Sequence, residues 1–246
     1  MKIIVLVKHA FVSDFRPEIT ADGKAIDTAK LIYEINDWDR YALEEAIKIK
    51  EQEGGEVVAI SVGTNCDDAL RKCFAVGADR AIKVPFDSID SRQIAEVISE
   101  VIKAEQFDLI LAGYQSQDLN NALVGSLLAG MLDLPYATGV TSIEFEGNEA
   151  RIRRELEAGF EEENTVPLPC LLTVQTGINK PRYTPIRGVL KARSKEITEV
   201  SVTPKSPTFE IEKVYYPEVK RGEIIEGSPE EISTKLTELL QERGLL

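Results

Sequence analysis

Residues 108–132 read DLILAGYQSQDLNNALVGSLLAGML and set five amide or acid side chains, Gln115, Gln117, Asp118, Asn120 and Asn121, between two apolar pieces. A polar elbow where a strand gives way to a helix suits the capture of an anion. The first N–H groups of a helix lack partners within it, and the helix dipole adds partial positive charge there. Main-chain amides of Asn121, Ala122, Leu123 and Val124 would cradle a phosphate, with Gln115 and Asp118 in reach of a ribose or base edge. Gly113 before the elbow, and Ala122 with Gly125 after it, leave room for close backbone approach. Asp and Asn also cap helices with no ligand present, so this stretch alone leaves both readings open.

Other chemistry-bearing residues are few. Lys8 and His9 end an apolar run, where a lysine is either a ligand contact or a solvated charge. Trp38, the one tryptophan, either packs a helix face or stacks on a flavin or adenine. A single histidine excludes the two- and three-histidine metal sites, and any serine–histidine pair that does not use His9. Cys66, Cys73 and Cys170 form an odd set without ligand spacing, which reads as free thiols in a reducing compartment. A net charge of −13 argues against general nucleic-acid binding, although one helix terminus can still hold one phosphate. No apolar run reaches the length of a membrane span, and Met1-Lys2 lead straight into IIVLV without a cleavage-site pattern, so a cytoplasmic setting is expected.

The elements that must position these residues alternate regularly. KIIVLVK (2–8), EVVAISVG (56–63), RAIKV (80–84) and DLILAG (108–113) read as buried strands. Between them lie helices: one capped by Asn36 or Asp37 and stopped at Gly54-Gly55, one closed by Gly77, and one with Ile94, Val97, Ile98, Val101 and Ile102 at helical spacing. In the first, Glu44 and Glu45 are placed to pair forward with Lys48 and Lys50. Such alternation predicts an α/β fold with a mostly parallel sheet and helices on both faces, whose ligands bind beyond the strand carboxyl ends. After Pro135 the pattern changes. An antiparallel hairpin is expected over about 139–166, turning at Glu146-Gly147-Asn148, with EEEN (161–164) as a solvated strand or turn and PLPCLLTV (167–174) as a return strand. An extended arm follows over 200–227, then a helix with a Ser228/Glu231 capping box and Pro229 in its first turn.

Several segments, in order, resemble one family. They are V-K at residue 8, N-x5-A-L-E-E-A from Asn36, A-x-G-A-D-R-A at 75–81, the Gly113 elbow, R-R-E-L-E-A-G at 153–159 and N-K-P-R-Y…G-V-L-K-A from Asn179. Together they are similar to the beta (small) subunit of electron transfer flavoprotein across nearly the whole chain. The resemblance implies a Rossmann-like fold of the adenine-nucleotide hydrolase and universal-stress type, as a domain over 1–192 with an arm and helix over 193–246 that contact an alpha subunit. It implies a heterodimer whose alpha subunit holds most of a redox-active FAD, while this subunit binds AMP, or a second FAD in electron-bifurcating members. The nucleotide contacts it carries over are Leu6, Val7, Lys8, His9, Asn36, Trp38, Val62, Gly113, Gln115, Asp118, Asn120, Asn121, Ala122, Leu123, Val124 and Gly125, with Trp38 near the subunit junction. A recognition loop is implied at 182–190, where Arg182, Tyr183, Ile186, Val189 and Leu190 would meet an acyl-CoA or other flavin dehydrogenase and Ile186 is the apolar anchor. Downstream, a quinone oxidoreductase or ferredoxin would take the electrons. Bifurcating members read D-G-D-T-A-Q-V-G-P at the elbow; this chain keeps Asp118 and the V-G but has Asn121 and Leu123 for the Thr and Gln. A stand-alone universal-stress-type regulator shares the strand–helix alternation but has no use for residues 178–246.

Overall fold

The computed structural model describes residues 1–12, 16–218, 222 and 224–246. The strands are β1 (Lys2–Leu6), β2 (His9–Val12), β3 (Ile32–Ile35), β4 (Glu56–Val62), β5 (Arg80–Val84), β6 (Leu109–Gly113), β7 (Tyr136–Glu146), β8 (Glu149–Glu155), β9 (Glu161–Pro167), β10 (Cys170–Val174) and β11 (Thr198–Glu199). The helices are α1 (Asp37–Glu53), α2 (Asp67–Val76), α3 (Ser91–Ile102), α4 (Val124–Leu132), α5 (Ile186–Ala192) and α6 (Pro229–Glu242). Nine strands form one sheet in the order β11-β5-β4-β1-β6-β10-β7-β8-β9. All neighbours from β11 to β7 run parallel, and only the β7–β8 and β8–β9 pairings are antiparallel. The α/β reading of the sequence therefore holds.

Side-chain alternation along the strands explains why helices cover both faces. Ile3, Val5 and Val7 point into one core with Leu43 and Ile47 of α1 and Leu70 and Phe74 of α2. Ile4 and Leu6 point into the other, with Val97 and Ile98 of α3 and Leu128 of α4. Strands buried on both sides need apolar residues at every position, and that is the unbroken run the sequence shows. Ile3, Ile4, Leu109, Leu111 and Leu171 are fully buried, each contributing on the order of 1.5–3 kcal/mol by leaving water.

Three details differ from the sequence reading and one agrees with it. The first strand ends at Leu6, and the chain turns into a separate two-stranded ribbon, β2 with β3, where a loop was expected. The hairpin is a three-stranded meander, because Glu161–Pro167 adds a strand beyond it. β10 does return to the main sheet, between β6 and β7. On α1, Glu45 pairs with Lys48 as expected, at 3.1 Å, but Glu44 turns to Arg182 and Lys50 to Asp79.

Beyond β11 the chain crosses the start of α3, where Asp90 accepts the Thr208 N–H and Gln93 donates to the Lys205 carbonyl. It then reaches the 16–30 segment, where the Tyr216 hydroxyl donates to the Pro17 carbonyl and Arg16 stacks over the Tyr216 ring. Part of the expected arm, Val219, Lys220, Arg221 and Glu223, lies outside the described residues. α6 carries the full capping box: Ser228 accepts the Glu231 N–H and Glu231 accepts the Ser228 N–H. Since α6 buries no residue, its local stability rests heavily on such terms. Ser228→Ala is expected to weaken the helix by about 1 kcal/mol, read as roughly fivefold faster amide exchange in α6 with global stability unchanged.

Candidate functional site

β1 leads to β4 and β5 on one side of the sheet, while β6 lies on the other, so the topology reverses between β1 and β6. A crevice opens where these two strands end, and open α/β sheets bind ligands at such a point. The elbow lies over it. Asn36, at the N-terminus of α1, does not cap its own helix. Its side chain instead donates to the Gln115 carbonyl at 2.8 Å and accepts the Gln117 N–H at 3.0 Å. Gln117 in turn reaches the Phe11 carbonyl of the ribbon and accepts the Asp37 N–H. Lys8 crosses the crevice, donating to Asp118 at 2.6 Å and to Ser116 at 3.3 Å. That ion pair cancels the one carboxylate of the elbow.

The helix start is free to receive an anion. The first bond onto the opening turn of α4 runs from Leu127 N–H to the Leu123 carbonyl, so the N–H groups of Val124, Gly125 and Ser126 are unpaired within the helix. Asn120 and Ala122 both take left-handed backbone, φ 51° each, which bends the chain into the turn. The Asn121 amide donates to Ser91 at 3.3 Å and ties the elbow to the start of α3. Beside the elbow a cavity of about 310 Å³ is lined by Phe11, Val12, Glu34, Asp37 and Gln117.

The nucleotide-contact residues read from the sequence divide into three sets. Lys8, Asn36, Gln115 and Asp118 are joined across the crevice by the contacts just described, and Asn120, Asn121, Ala122, Leu123, Val124 and Gly125 form the turn and the start of α4 beside them. Leu6 and Val7 border it, but their side chains are buried in opposite cores, so only their backbone faces it. Val62 ends β4 on the same rim, and His9 on β2 holds the Asn65 carbonyl through Nδ1. Trp38 points elsewhere: its indole N–H donates to Gln175 at 2.6 Å, joining α1 to the end of β10. The two glycines are needed for packing within the protein. A Cβ on Gly113 would lie 2.4 Å from Asp39 Oδ1, and one on Gly125 2.4 Å from Thr173 Cγ2.

Asp39 is the residue the sequence reading missed. It is 6% exposed and accepts the N–H of Lys8 at 2.7 Å and of Gly113 at 3.0 Å. Burial pushes its carboxyl up to about 7, against the opposing pull of the Lys8 N–H, the Asn36 side chain, the Gly113 N–H and the Lys8 charge. A signal was present, since Asp39 sits on the stripe formed with Ala42, Leu43, Ala46 and Ile47, where a carboxylate must be turned into the protein.

The other set, 182–190, lies on a different face. Its anchor is Arg182, whose guanidinium pairs with Glu44 at 2.9 Å and Glu51 at 2.7 Å on α1. Half of the expected loop is helix α5, whose Gly188 sits so close to α2 that a Cβ there would be 2.0 Å from the Ala75 carbonyl oxygen. Held on these supports, Tyr183 and Ile186 are 96% and 81% exposed, with Val189 and Leu190 beside them.

Fold and crevice define a Rossmann-like α/β protein with an anion-receptive crevice at its switch point. Comparison with known proteins narrows this class. Residues 24–205 match the family model of the electron transfer flavoprotein domain. The electron transfer flavoprotein subunit beta of Methylophilus methylotrophus is 39% identical, and that of Bacillus subtilis 34%, each alignment covering 98% of both chains. The human subunit beta is 29% identical over 80% of each chain. This chain belongs to the electron transfer flavoprotein family, among its beta subunits.

Proposed function

We propose that this chain is the beta subunit of a heterodimeric electron transfer flavoprotein, that it holds an adenine nucleotide, AMP or FAD, in the β1/β6 crevice, and that it docks a flavin dehydrogenase through the 182–190 segment. The observation that carries the nucleotide reading is the unpaired set of N–H groups at the start of α4, facing a crevice whose only elbow carboxylate is neutralised by Lys8. The donor set fits a phosphate. Bound FAD would supply the electron-transfer chemistry. This chain's residues bind and orient: the α4 amides hold the phosphate, Asn36 and Gln117 keep the elbow shaped around it, and Lys8 balances charge. The beta-subunit names of relatives matched from end to end support pairing with an alpha subunit over a stand-alone regulator. Among the described residues no helix is long and apolar enough to cross a membrane.

Co-expression with the alpha subunit of the same organism is the test. The expected product is a one-to-one complex with flavin absorbance and extractable AMP or FAD; a complex without flavin would refute the assignment. For the docking face, Ile186→Asp places a charge where an apolar side chain now protrudes. It is expected to slow reduction by the dehydrogenase at least tenfold, with flavin content and heterodimer unchanged.

A further inference from the structure

We propose that Asp39 is the positioning residue of the crevice: by accepting the N–H groups of both Lys8 and Gly113, it fixes the distance between the two strand ends that flank the ligand. This rests on the nucleotide reading above.

β1 and β6 are paired only as far as Val5 and Leu111. Past that point no ladder bond joins them, and the crevice opens. Lys8 and Gly113, three and two residues beyond the last paired positions of β1 and β6, have N–H groups that need an acceptor and find none across the β1–β6 ladder. A single carboxylate supplies it to both, with Oδ2 on Lys8 and Oδ1 on Gly113. Both of these bonds leave α1, and the Asn36 side chain at the head of that helix bonds the carboxylate as well. The residues so held also carry the site. Lys8 reaches the elbow through Ser116 and Asp118, and Gly113 enters it directly. Moving Asp39 therefore moves both walls.

A bridge of this kind responds to a proton. The ionised carboxylate accepts on both oxygens; the neutral acid must place a hydrogen on one of them, which weakens one of the two bonds. Lys8 faces Asp39 from the end of β1 and the Cys73 thiol faces it from α2, while β6 presents only the uncharged Gly113 backbone. Burial raises the Cys73 thiol well above its ordinary value, so it stays neutral near pH 7. Of these two acids, Asp39 is the one that changes charge near neutral pH.

The experiment follows the Lys8 and Gly113 amide resonances of the ¹⁵N-labelled full chain between pH 5.5 and 8.5, and measures AMP affinity by calorimetry at pH 8. In the wild type both amides are expected to shift together with one midpoint about 7. In Asp39→Asn that shared titration disappears. AMP binds about tenfold more weakly, since the new NH₂ faces one of the two N–H groups and forces a wall to move. Independent titration of the two amides, or no titration, overturns the clamp, and the wild-type measurement alone decides this if the variant does not fold. Unchanged AMP affinity in a folded Asp39→Asn overturns the positioning role. A wild type that shows the shared titration yet binds neither AMP nor FAD overturns the nucleotide reading instead.

Discussion

Replacing Gly113 by alanine is expected to lower the unfolding free energy by about 3 kcal/mol and to empty the crevice of nucleotide. The added methyl would sit 2.4 Å from Asp39 Oδ1, 2.6 Å from Trp38 Cβ and 2.8 Å from the Asp39 N. Two of those atoms belong to the first turn of α1, which cannot yield by a rotamer change. The helix must therefore back away from β6, taking Asp39 from the Gly113 N–H and Asn36 from the elbow. Gly130→Ala is the control. Gly130 lies inside α4 with nothing within 4 Å of the added carbon, so the change should be neutral or stabilise by up to about 1 kcal/mol. Urea unfolding of the two variants, with nucleotide titration of each, checks both halves. Equal stability of Gly113→Ala and wild type would mean that α1 and β6 are not in the contact described.

Much of this arrangement is legible in the sequence because burial on both faces leaves a plain mark. Runs such as IIVLV and LILAG allow few structures other than central parallel strands, and Gly54 and Gly77 end α1 and α2 where glycine's freedom predicts. The elbow is legible for the same reason, as polar residues set between two buried pieces. What escaped depends on partners distant in the chain. The HAFV and IYEI strands are four residues each, pair only with one another, and lie some twenty residues apart. Neither shows clear alternation. Asn36 has the residue type and position of a helix cap, yet its side chain is drawn off by Gln115 and Gln117, which local spacing cannot reveal. Lys50 leaves its helical neighbours for Asp79 in the same way. The 182–190 segment, read as a loop, closes into α5 because Gly188 lets it lie against α2.

Asp39 gives the second large effect, in the pH dependence of stability. Its folded value of about 7 stands roughly three units above an ordinary aspartate, because burial outweighs the hydrogen bonds from Lys8, Asn36 and Gly113 and the Lys8 charge. Between about pH 4 and 7 the folded chain therefore holds a proton at this position that the unfolded chain has released. Stability must fall as pH rises through that window and level off above it. Three units correspond to about 4 kcal/mol in full, and about 3 kcal/mol of that lies between pH 5 and 8. Other carboxylates titrate in the same range, so the measurable quantity is the difference between wild type and Asp39→Asn. That difference should move against the wild type by about 3 kcal/mol from pH 5 to pH 8. A flat difference would mean that Asp39 is ionised throughout, its N–H partners having offset burial. A buried carboxylate that costs stability at the pH where it is ionised has no place in a core chosen for packing alone. Its position at the split between β1 and β6, bonded to both, is where such a cost goes with function.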